Sequence, residues 1–90
     1  MANTPSAVVI PARQSFVVDT ADAKTRWRIR NSTAGDLFVR LAAADAGPNQ
    51  GGYDLAIPAG LSYFSDLNEY AGEIRAFSQG GGTINYSKDV

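Results

Sequence analysis

The sequence predicts an all-β fold, a single small β-sandwich of jelly-roll-like type with about eight short antiparallel strands. Nine glycines and four prolines divide the 90 residues into runs of about five to eight residues, the usual length of strands. Several runs alternate apolar and polar residues, and none shows the apolar period of an amphipathic helix. Because the chain is short and 44% hydrophobic, we expect one domain with one thin core, spanning residues 7–90.

The N-terminal part of the chain predicts an arm followed by two strands. Residues 1–6 are small and polar, which indicates an extended arm in front of the domain. Residues 7–10 are a run rich in β-branched residues, which Pro11 ends. We expect the first strand of the domain here. The alternative is that these residues extend the arm and add a strand to the sheet edge of a neighbouring subunit. Residues 14–19 predict a second strand, and residues 19–24 lack an apolar period and predict a turn or a single helical turn.

Residues 25–31 form the clearest predicted strand. Trp27 and Ile29 alternate with arginines, which is the two-residue period of a sheet buried on one face and wet on the other. The arginines of this stripe are Arg26, Arg28 and Arg30. We therefore expect the two apolar side chains in the core and the three arginines in solvent.

The next predicted strand is residues 36–41, with Leu37, Val39 and Leu41 on its core face. Residues 31–35 between these strands are rich in turn formers. The two strands are therefore predicted to pair with each other as a hairpin.

The second half of the chain predicts one loop and four more strands. Residues 42–52 form the longest irregular stretch, and the GPNQGG sequence within it, residues 47–52, indicates an exposed loop. The further strands are predicted at residues 53–57, 61–67, 72–78 and 83–87, with Ile74, Ala76, Ile84 and Tyr86 facing the core. The triple glycine at residues 80–82 permits positive φ and predicts a reversal before the last strand.

The composition excludes most catalytic and cofactor chemistry. The chain has no cysteine and no histidine, so disulfides, thiol nucleophiles, imidazole bases and the usual zinc ligand sets are excluded, and we expect neither an enzyme nor a cofactor. Asp66, Glu69 and Glu73 lack the spacing of a calcium loop and are expected to be solvated turn residues. The longest apolar runs, residues 7–10 and 41–44, are far shorter than the ~20 residues of a membrane span, so no membrane partner is expected.

The arginine stripe is also the one feature of the sequence that could indicate nucleic-acid binding. Arginines can hold phosphates while an aromatic ring stacks on a base. The alternation, however, places Trp27 on the opposite face, and the net charge is −1 with a pI near 5.1. A nucleic-acid partner is therefore not expected.

Two phenylalanines are predicted to point away from the core, each beside an arginine of the same strand. Protein interfaces are enriched in aromatic residues such as Phe and in Arg. We therefore predict contacts between chains here and along the arm, and the alternative is that a second layer of the fold buries the rings. The predicted interface residues are Asn3, Thr4, Pro5, Phe38, Arg40, Arg75 and Phe77.

Five short motifs follow one another between Arg26 and Tyr86. They read RWRIR followed by NS, then DLFVRL, GYDLAIPAG, YAGEIRAFS and GGGTINY. This order resembles that of small β-sandwich virion structural proteins of tailed bacteriophages, of the capsid-decoration or head-fibre kind.

The resemblance implies a non-enzymatic virion protein, most plausibly a capsid decoration or cement protein bound in many copies to the head. Its partners would be the major capsid protein or another virion protein, and other copies of itself in a homo-oligomer. Its location would be the virion, assembled in the bacterial cytoplasm. The first alternative is a tail, baseplate or fibre component that contacts the host surface, and the second is a small nucleic-acid-binding β-barrel.

Overall fold

A computed structural model describes residues 6–20, 26–47, 52–65 and 72–89 of the chain. Within these ranges the elements are β1 (Ser6–Ile10), β2 (Phe16–Asp19), β3 (Arg26–Asn31), β4 (Leu37–Arg40), β5 (Leu55–Ile57), β6 (Ser62–Ser65), β7 (Ile74–Ser78) and β8 (Gly82–Asp89). These ranges contain no helix, and hence none that could cross a membrane. The predicted all-β fold is confirmed, with a strand near each predicted position.

The strands form two antiparallel sheets of four strands each. Sheet A has the order β1-β8-β3-β6, and sheet B has the order β2-β7-β4-β5. The pairs β1–β8, β2–β7, β3–β6 and β4–β5 are those of one long hairpin rolled around a common core. The pairs β3–β8 and β4–β7 then complete the two sheets. This is the jelly-roll arrangement, as predicted.

The core lies between the inner faces of the two sheets. Its buried residues are Ile10, Trp27, Ile29, Leu37, Val39, Ile57, Ile74, Ala76, Ile84 and Tyr86. Trp27 is the largest of them, and its ring centroid lies 5.3 Å from that of Tyr63 on the neighbouring strand. The predicted alternation of β3, β4, β7 and β8 is therefore confirmed.

The predicted hairpin between β3 and β4 is wrong. β3 pairs with β8 and β6 in sheet A, whereas β4 pairs with β7 and β5 in sheet B, so the connection between them crosses from one sheet to the other. The physical reason is Asn31, whose side chain lies in the core. Its Nδ2 donates to the carbonyl of Gly35 and to that of Ile57, each at 2.7 Å. The second of these hydrogen bonds anchors the end of β3 to the opposite sheet.

The remaining groups of Asn31 are also hydrogen-bonded. Its Oδ1 accepts from the backbone N–H of Thr33 at 2.9 Å and from the Thr33 hydroxyl. Its backbone N–H donates to Leu61 at 2.9 Å, and its carbonyl accepts from Gly60 at 2.8 Å. The buried amide therefore uses both donors and its acceptor, as a buried polar group must if its desolvation is to be offset.

A second polar contact joins the sheets between β2 and β8. Asp19 of β2 accepts a hydrogen bond from the Tyr86 hydroxyl at 2.7 Å and forms an ion pair with Lys88 at 3.3 Å. Both partners lie on β8, on its core-facing side. Polar contacts thus link the two layers in addition to the apolar core.

The predicted N-terminal arm lies mostly outside the described residues, and so do its predicted contact residues Asn3, Thr4 and Pro5. Ser6, the last residue assigned to the arm, begins β1 and pairs with Tyr86 of β8. β1 is therefore a strand of this domain, which is the interpretation that the sequence favoured for residues 7–10.

We expect Gly81→Ala to destabilise the fold by about 1–3 kcal/mol, because Gly81 has a φ of +68° and a Cβ there would lie 2.8 Å from the backbone nitrogen of Ala12. Gly80→Ala is the matched control, since a Cβ at Gly80 would meet no atom within 4 Å. The control should stay within about 0.5 kcal/mol of the wild type in urea unfolding. Equal stability of the two variants would contradict the close approach at Gly81.

Candidate functional site

The outer face of sheet B carries the predicted Phe–Arg surface. Phe38 and Phe77 lie opposite each other on β4 and β7, on the side away from the core, so the alternation was read correctly. Their ring centroids are 6.5 Å apart, and the ring of Tyr53 lies 4.9 Å from that of Phe38. Phe77 is only 8% exposed, and a Cβ on Gly47 would lie 3.4 Å from its ring. Both rings therefore have aromatic partners within the chain itself.

The two arginines of this face are also engaged within the chain. Arg75 pairs with Asp45 at 3.1 Å and with Glu73. The pKa of Arg75 lies above its ordinary value, because the hydrogen bond that its Nε donates to the Glu73 carboxylate favours the charged guanidinium, and Asp45 adds electrostatic attraction. Arg40 donates to the carbonyl of Asp45 at 3.0 Å. These contacts hold residues 41–47 against sheet B, and the assignment of this surface to contacts between chains stays a prediction.

The outer face of sheet A is open by comparison. Arg26 and Arg30 of β3 are exposed, and Arg28 between them is half-buried, so the arginine stripe faces away from the core as predicted. The Nε of Arg28 donates to the Ser87 hydroxyl of β8 at 3.0 Å. On the far strand of the same sheet, Val9 of β1 is 74% exposed.

Phe64 lies on the same face as the arginines, which the sequence analysis did not foresee. β6 pairs with β3 so that Phe64 is opposite Arg28 and Ser62 is opposite Arg30. Phe64 is 62% exposed, whereas its neighbour Tyr63 packs against the core. The signal was present in the sequence, because two adjacent aromatic residues of one strand must point to opposite faces.

A groove of about 260 Å³ lies on this face, across β6, β3 and β8. It is lined by Arg28, Ile29, Arg30, Ser62, Phe64, Asn85 and Ser87. The surface exposed in the groove is almost entirely apolar, and the described side chains that line it belong to two arginines, an asparagine, two serines, an isoleucine and the exposed Phe64, with no carboxylate among them. Such a surface can hold a ligand that combines negative charge with an apolar group.

The described residues contain no group of acidic side chains arranged to hold a metal ion. Of the acidic residues singled out in the sequence, Glu73 pairs with Arg75, and Asp66 and Glu69 lie outside the described residues.

Comparison with protein-family models, with curated proteins and with solved structures finds no match for this chain. The resemblance to phage virion proteins therefore stays a prediction. Because jelly rolls serve many unrelated functions, the argument for function depends on the surface of the domain.

We expect Phe77→Ser and Phe64→Ser to differ sharply in stability, although the chemical change is the same. Phe77 is 8% exposed and Phe64 is 62% exposed. Truncating the covered ring should cost about 3 kcal/mol, and truncating the open one less than about 1 kcal/mol. Thermal or urea unfolding of the two variants measures the difference. A larger loss for Phe64→Ser would mean that the ring on sheet A is part of the packed fold and not of an open surface.

Proposed function

We propose that this chain is a non-enzymatic structural protein of a bacteriophage particle, a decoration or cement protein bound in many copies to the head. The observation that supports this best is the open outer face of sheet A, on which Phe64 is exposed beside the arginine stripe and Val9 is exposed two strands away on β1. Aromatic residues and arginine are enriched in protein interfaces, and exposed apolar side chains gain free energy when a partner covers them.

The architecture suits a protein that stabilises an assembly. The eight strands enclose a core that is apolar on the inner faces of both sheets and joined by hydrogen bonds, which favours a domain of fixed shape. A protein that binds the assembled shell and not its free subunits shifts the equilibrium towards the shell by mass action. Association between copies, which we also propose, would add to this effect.

Nucleic-acid binding is the second candidate function, and one observation favours it. Trp27 lies on the face opposite to the arginines and cannot stack on a base that they hold, but Phe64 lies on the same face as the arginines, opposite Arg28. A cationic sheet face with an exposed ring is a common platform for single strands. The net charge of −1 still weighs against this function.

The copy number in purified particles tests the proposed function. Quantitative mass spectrometry, with the major capsid protein of the same sample as internal standard, should find this chain in numbers comparable with that protein. A number comparable with that of tail proteins would replace the head assignment by the tail, baseplate or fibre alternative. Loss of the chain during particle purification would contradict a virion role altogether.

A further inference from the structure

We propose that the groove on the outer face of sheet A binds an extended acidic segment of a partner protein, which lies alongside β6 and places a carboxylate against Arg30. This inference rests on the proposed function in one respect, that the ligand is a protein. It adds where the partner binds and which side chains the partner must present.

The first step is the position of β6 in the sheet. β6 is the end strand of sheet A, and in the described ranges no strand pairs with its far side. An end strand presents unpaired backbone N–H and C=O groups. An extended segment can pair with these groups and continue the sheet, which supplies affinity without requiring a particular sequence.

The second step is the charge beside that edge. Arg30 is exposed and lies opposite Ser62 of β6. Neighbouring strands are about 4.8 Å apart, so an arginine side chain on β3 can extend over a small residue of β6 to the strand beyond. A carboxylate on the added segment, opposite Ser62, would then lie within reach of the guanidinium. Among the described residues that line the groove there is no carboxylate that would compete for it.

The third step is the apolar contact. Phe64 lies two residues beyond Ser62 on the same face of β6, and its ring is 62% exposed. Residues two apart in the added segment share a face as well. The segment that fits therefore has an acidic residue and an apolar residue separated by one position, the first facing Arg30 and the second covering Phe64.

Two other occupants fit less well. The described residues that line the groove include one aromatic ring, whereas proteins usually hold single-stranded nucleic acids by stacking several successive bases on aromatic rings. A second copy that paired edge to edge through β6 would bring the arginines of both β3 strands to one face, where like charges repel. An extended acidic segment can pair with the edge of β6, place a carboxylate against Arg30 and cover the ring of Phe64 at the same time.

The test uses a fluorescein-labelled peptide that repeats Glu-Thr-Val-Thr, which presents Glu and Val on one face of a strand. The wild-type protein should raise its fluorescence anisotropy, and should leave that of the Lys-Thr-Val-Thr peptide unchanged. Arg30→Glu should weaken binding by about tenfold or more, because it replaces an attraction by a repulsion. Phe64→Ser should weaken it by about fivefold through loss of the apolar contact.

Arg13→Glu is the matched control. It changes the net charge by the same amount at an exposed residue between β1 and β2, away from the groove. We expect its affinity to stay within about twofold of the wild type. Thermal unfolding of each variant should match the wild type, so that a loss of binding is not a loss of fold.

Several results would overturn the inference. Equal binding of the acidic and basic peptides, no binding of the acidic one, or the same loss with Arg13→Glu as with Arg30→Glu would each contradict it. Tighter binding of single-stranded oligo(dT), lost in Arg30→Glu, would assign the groove to nucleic acid instead. If the chain is abundant in particles but binds no acidic peptide, this inference alone fails. If it binds the peptide but is missing from particles, the proposed function alone fails.

Discussion

At the end of β3, the side-chain amide of Asn31 occupies a position where the alternation of the strand calls for an apolar residue. Its two donors reach the carbonyls of Gly35 and Ile57, and its acceptor is used by Thr33. Ile57 ends β5 of sheet B, whereas the backbone of Asn31 bonds to Leu61 beside β6 of sheet A. One residue therefore joins both sheets. Removing its amide would take a hydrogen bond from the carbonyl of Ile57 and one from the N–H of Thr33, each at a cost of about 1–3 kcal/mol, while the carbonyl of Gly35 would keep its hydrogen bond from the Thr33 hydroxyl.

The crossing at Asn31 also decides which surface of the domain stays open. Because the chain leaves sheet A there, β4 lies beside β7, and Phe38 comes to lie opposite Phe77. The segment that follows β4 then covers these rings and engages Arg40 and Arg75. Sheet A has no such cover over the described part of its outer face, where Phe64 and Arg30 are exposed. Both functional proposals are based on this difference between a covered outer face of sheet B and an exposed outer face of sheet A.

The sequence was sufficient for the class of fold, the place of each strand and the face on which Trp27 and the arginines lie. These properties are local, since a two-residue period is visible within a single strand. The partner of each strand is not local. The hydrogen bond from Asn31 to Ile57 joins residues 26 positions apart, and no pattern in residues 31–35 separates a hairpin turn from a crossing anchored in the core. The groove could not be predicted for the same reason, because it depends on the pairing of β6 with β3, which places Phe64 beside Arg28.

The free energy of unfolding of Asn31→Ala tests the central claim most directly, with Ser32→Ala as its exposed neighbour and control. If the amide of Asn31 holds the two sheets together, Asn31→Ala should lose about 3–5 kcal/mol in urea unfolding, since the carbonyl of Ile57 and the N–H of Thr33 each lose a buried hydrogen bond. Ser32→Ala should stay within about 0.5 kcal/mol of the wild type. A loss for Asn31→Ala no larger than that of Ser32→Ala would contradict the account.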